Sequence, residues 1–183
     1  MTRHLVFVTL AALTATATAD PKDTPKDTKA APAGPAGKKP PAETAEVGKL
    51  MTGTWKCEGS VELPDKSAAK IKATLTAAPE LGGFWIHEAL DVEMVPAFKL
   101  EAYMTFDGAK WHRTAFDSMG GQATGTADPM KDHKIEWAIE KAGMVEKAHL
   151  DLSDLKKGMH LTAEHSMDKG KTWGKGPDML CKK

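Results

Sequence analysis

Arg113, Asp117 and Glu88 are the residues whose charge and position along their strands call for an explanation. In WHRTAFDSMGG, residues 111 to 121, one alternate set reads Trp111, Arg113, Ala115, Asp117 and Met119, and the other His112, Thr114, Phe116 and Ser118. A strand that buries Trp111 carries Arg113 and Asp117 inward with it. A guanidinium taken out of water needs an anionic partner. Glu88 is placed to supply one, as the single polar residue on a face otherwise made of Phe84, Ile86, Leu90, Val92 and Met94. Three roles stay open for Arg113: an anchor for a ligand carboxylate or phosphate, a structural ion pair inside the fold, or a surface position.

Histidines are the next candidates. Beyond His4 the chain has His87, His112, His133, His149, His160 and His165. None of them forms the HExxH pattern of a zinc hydrolase helix, since HEALD at 87 to 91 lacks the second histidine. His160 and His165 are five apart, so on a strand they face opposite sides and cannot share a metal. His165 falls on the apolar face with Met159, Leu161, Ala163 and Met167, which makes it an interior hydrogen-bonding residue or, as the alternative, a ligand for haem or another metal. Scattered methionines read as core filling rather than a copper site. No cofactor is expected.

Enzymatic signals are poor. Ser118 is not in a G-x-S-x-G setting, and no glycine-rich loop precedes a helix. Glu88 and Asp117 would suit acid–base work only if adjacent. Cys57 would need a base and a thiolate-favouring site to act as a nucleophile. The expectation is a protein that is not an enzyme.

The elements that must hold these residues are strands. Leu100, Ala102, Met104 and Phe106 alternate with polar neighbours, as do Ile135, Trp137 and Ile139, then Met144, Ala148, Leu150 and Leu152, then Met159 to Met167. Turn pairs such as Gly82-Gly83, Asp107-Gly108, Gly120-Gly121 and Lys157-Gly158 divide the runs at short intervals. About ten strands of 7 to 11 residues joined by tight turns predict an all-β fold, a single antiparallel up-and-down barrel. A short helix near Val47 to Met51 is placed to plug one end. Cys57 lies in the first predicted strand and Cys181 in the last, which are neighbours in such a barrel, so the two could form a disulfide. Trp55, Trp85, Trp111, Trp137 and Trp173 recur about once per hairpin and suit end plugs better than a sugar platform.

Charge points to no polyanionic partner. The 183 residues hold 25 Lys+Arg and 25 Asp+Glu, so neither nucleic acid nor an anionic membrane finds its usual electrostatic footprint. Residues 1–19 read as a signal peptide: Arg3, an apolar run from Leu5 to Leu13, then Ala17-Thr18-Ala19. No cysteine follows that site, so a lipoprotein anchor is not expected. Residues 20–46, rich in Pro, Ala and Lys, read as a disordered linker. Residues 47–183 form the barrel domain. A secreted or periplasmic location follows, with no membrane insertion.

GTWKCEG at 53 to 59, LGGFWIHEAL at 81 to 90, WHRTAFDSMGG at 111 to 121 and DKGKTW at 168 to 173 together resemble a bacterial family of secreted calycin-like domains of unknown function. The chain departs from that pattern where Phe84-Trp85 stands in place of Arg-Phe. The resemblance implies a calycin barrel. Lipocalin-like relatives bind small apolar molecules inside it, and nitrobindin-like relatives hold haem on a histidine of the last strands. The expected function is therefore a small, mostly apolar ligand in the barrel interior, set by Arg113, Glu88, Asp117, His165 and Trp111. The alternatives are haem on His165, or a filled structural or interaction barrel.

Overall fold

The computed structural model describes residues 38–63, 66–94 and 96–183. The expected signal peptide and the linker as far as residue 37 lie outside the described residues. One helix, α1 (Ala42–Met51), precedes ten strands: β1 (Gly53–Glu62), β2 (Ala68–Glu80), β3 (Trp85–Val92), β4 (Phe98–Phe106), β5 (Trp111–Asp117), β6 (Gln122–Ala127), β7 (Lys134–Lys141), β8 (Met144–Asp151), β9 (Met159–Ser166) and β10 (Gly174–Lys182). Each strand runs antiparallel to the next, and β10 returns to β1, so the sheet closes as an up-and-down barrel. Strand lengths run from 6 residues in β6 to 13 in β2, a wider range than the spacing of turns suggests.

Alternation decides what faces in. In β7, Ile135, Trp137 and Ile139 are buried while Lys134, Glu136 and Glu140 are exposed, and in β1 Trp55 and Cys57 alternate with exposed Lys56 and Glu58. This polarity is the reverse of a membrane-spanning barrel, whose outward face is an apolar band. Among the described residues no helix is long and apolar enough to cross a membrane.

The disulfide forms as the strand order requires. Cys57 and Cys181 are register partners across β1 and β10 and are covalently linked over a sequence separation of 124 residues. Pro177 in β10 has no N–H to give a ladder; it lies where the β9 pairing shifts register between Lys175 and Asp178, the place a strand tolerates proline.

The helix starts at Ala42, five residues before the position the sequence suggested. Its inward face is Thr44, Val47, Gly48 and Met51, and it packs on β2, β3 and β4 at one barrel end. Side chains on that stretch hold it there. Glu43 Oε1 accepts from Trp111 Nε1 at 2.6 Å and from the Met130 amide at 2.5 Å, and Thr44 Oγ1 accepts from the Phe106 amide at 3.3 Å. The Trp55 indole donates to the Met51 carbonyl at 2.7 Å, tying the helix end to β1. Below this plug the interior is solid, with Trp55, Trp111, Ile86, Met104, Ile135 and Met159 almost wholly buried. Each such aliphatic side chain stabilises the fold by about 1.5–3 kcal/mol relative to exposure.

Three methionines expected on inward faces are not there. β3 ends at Val92, β5 at Asp117 and β9 at Ser166, and Met94, Met119 and Met167 lie beyond those ends, 49%, 68% and 71% exposed. Turn hydrogen bonds override the alternation. The Ser166 hydroxyl donates to Asp168 at 2.7 Å and accepts from the Gly170 amide at 2.7 Å, curling the chain before Met167 can point inward.

Candidate functional site

At the end opposite α1 the interior is hollow. β1, β3, β5, β7 and β9 all finish there, and a cavity of about 310 Å³ opens between them, at the lower bound of ligand pockets, which run from roughly 300 to 1,000 Å³. Its wall is mostly apolar: Leu90, Leu100, Met144 and Ala163 towards the mouth, with Leu75 and Trp137 deeper. The reason is strand phase, which turns these aliphatic residues and a few charged groups inward on the mouth-side half.

Glu88 and Arg113 form the deepest polar feature. The Arg113 Nε and Nη2 both donate to Glu88 Oε2, at 3.2 and 3.1 Å, and both residues line the cavity. Their side chains are only 9% and 19% exposed, so the pair sits largely out of water. Among the described residues no buried side-chain nitrogen or oxygen lacks a partner. Arg113 Nη1 and Glu88 Oε1 take no part in these two bonds.

Asp117 lines the rim and is fully engaged. Its Oδ2 accepts from Lys141 Nζ at 2.6 Å, and its Oδ1 accepts the Met119 and Gly121 amides at 3.0 and 2.8 Å. The Lys141 hydrogen bond, then the Gly121 amide, hold its carboxyl below the usual aspartate range. A Cβ at Gly121 would run into that carboxylate, so any side chain there would have to displace Asp117 from its bonds.

Sequence reading missed two inward residues, Glu146 and Lys141. Both were visible by counting: Glu146 shares the phase of Met144, Ala148 and Leu150, and Lys141 that of Trp137 and Ile139. Glu146 lines the cavity, and among the described residues no hydrogen bond or ion pair within 4 Å reaches it. Burial pushes its carboxyl above the usual range, against the opposing pull of Arg113, His165 and Lys141.

Two expected ligand residues are elsewhere. Trp111 is fully buried at the α1 end, bonded to Glu43 and packed edge-on to Trp137 with ring centroids 6.3 Å apart. It faces inward as its phase predicts, but at the start of β5 rather than near the mouth. His165 shares the inward phase of Leu161 and Ala163, yet it does not line the cavity. Its imidazole lies over Gly174, its register partner in β10, where a Cβ would stand 3.2 Å from Nε2. A haem or metal held in the cavity would need its ligand on the cavity wall, and His165 is not on it. The other five histidines among the described residues each have a carboxylate within 4 Å, His160 with Asp178 at 2.6 Å among them. Among the described residues no group of three or more His, Cys, Asp or Glu side chains is arranged to hold a metal ion.

The crystal structure of Rv2717c from M. tuberculosis is similar to this chain with a TM-score of 0.58 at 10% sequence identity, covering 78% of this chain and 98% of that one. The fold is a calycin-like barrel. No family model and no curated protein matches the chain. The likeness is one of architecture alone, and what this calycin-like barrel holds has to be argued from its own cavity.

Proposed function

We propose that the chain is an exported binding domain whose barrel takes one small, mostly apolar molecule through the end opposite α1. The observation that carries this reading is the cavity of about 310 Å³ with a mainly aliphatic wall and a fixed Arg113–Glu88 pair in it. An apolar wall rewards burial of ligand surface, and the pair's other atoms supply orientation at little reorganisation cost. The cavity shows that the interior is not packed throughout, which favours this reading over a wholly filled structural barrel. Export is supported by the signal-like leader and by the Cys57–Cys181 bridge, of a kind found mainly in oxidising compartments. The likeness to the secreted calycin-like family of unknown function rests on the sequence motifs.

Native mass spectrometry of the protein purified from its own host is the test. The expected spectrum shows the chain plus the mass of one small molecule. An apo mass alone, together with no fluorescence gain from the neutral apolar probe N-phenyl-1-naphthylamine, would overturn the proposal.

A further inference from the structure

The charges around the cavity do not cancel. Glu88 is matched by Arg113 and Asp117 by Lys141, each pair within hydrogen-bond distance. Glu146 is left over. It lines the same apolar wall, and the charged or titratable groups facing it are Arg113 from β5, Lys141 from β7 and His165, its register partner in β9. Arg113 and Lys141 are each paired with another carboxylate, and no ion pair within 4 Å joins His165 to Glu146 among the described residues.

An apolar body filling this space displaces the water that solvates Glu146. A carboxylate stripped of water and given no partner opposes binding, and a second anion adds repulsion. A protonated nitrogen replaces the lost water with a charge-assisted hydrogen bond. We infer that Glu146 makes the cup selective for a ligand carrying one cationic nitrogen on an apolar body. This inference rests on the reading of the cavity as a binding site, and it names the ligand class that site would take.

Calorimetric titration of the full chain at pH 7 with decylammonium, decanoate and decanol separates the two levels of argument, since the three probes differ only in the head group. Decylammonium is expected to bind about 10-fold or more tighter than decanoate, with decanol between them. In Glu146→Gln the first two should come within about 3-fold of each other. Equal binding of all three by the native chain, tighter binding of decanoate, or a preference unchanged in the variant would overturn the role of Glu146 while leaving the cup a binding site. Binding of none of them overturns the inference together with the reading beneath it. The native-chain comparison stands by itself should the variant fail to fold.

Discussion

At the scale of single residues, Glu146 is the place where folding and function pull apart. An acid raised by burial binds its proton more tightly in the native state than in the unfolded chain. Below the ordinary glutamate range both states are protonated and no penalty exists. As pH rises from that range through the raised value, the unfolded chain ionises first and stability falls, until both states are ionised. Glu146→Gln should therefore be more stable than the native chain at pH 7 by on the order of 1 kcal/mol. Urea denaturation at pH 7 and again at pH 3.5 checks this, and the gain should vanish at the lower pH. A variant less stable than the native chain at pH 7 would mean that Glu146 stabilises the fold. Asp117 is the contrast: it too lines the cavity, but its carboxylate is held low by Lys141 and the Gly121 amide and serves the turn after β5.

At the scale of elements, α1 is joined to the barrel by buried polar contacts as much as by apolar ones. Glu43 satisfies the indole N–H of Trp111, which is fully buried, and also the Met130 amide. Removing the acceptor leaves a buried donor without a partner, which costs about 1–3 kcal/mol. Glu43→Ala should lower the denaturation midpoint accordingly and speed amide exchange in the segment around Met130. The mouth of the cup should keep native exchange rates, because β5 reaches it at Asp117, the opposite end from Trp111. Equal loosening at both ends would show that the plug and the cup are not separable.

At the scale of the whole molecule, closure is secured twice, by the β1–β10 ladder and by the Cys57–Cys181 bond across it. A bond closing a loop of this length restricts the unfolded chain by about 4–5 kcal/mol in the chain-entropy model. Because the ladder remains when the bond is cut, the reduced protein should keep its fold under mild conditions while its chemical denaturation midpoint falls. Circular dichroism with and without reductant reads both effects. A reduced chain that has lost its strand signal without denaturant would show that the ladder cannot close the barrel unaided.

Period-two alternation in the sequence determines the strands and their inward faces, since side-chain direction in a strand follows from residue parity. It turns Glu88 and Arg113 inward on strands one apart, and the tight turns determine the strand order that makes Cys57 and Cys181 neighbours. Parity also marks Glu146 and Lys141, whose inward phase is hidden only because each is charged and lies near the end of an apolar run. The depth of each inward residue is a different matter, because phase says which side of the sheet a residue faces and nothing about its height in the barrel. Trp111 and Arg113 share a face two residues apart, yet one is packed under the helix plug and the other opens into the cup. His165 has the right phase, but its ring is turned onto Gly174, a residue nine positions along the chain that only strand pairing brings beneath it. Tertiary structure decides which inward charges find partners, because ion pairing depends on registers summed over several strands, and that is why the unpaired carboxylate of Glu146 emerges only when the barrel closes.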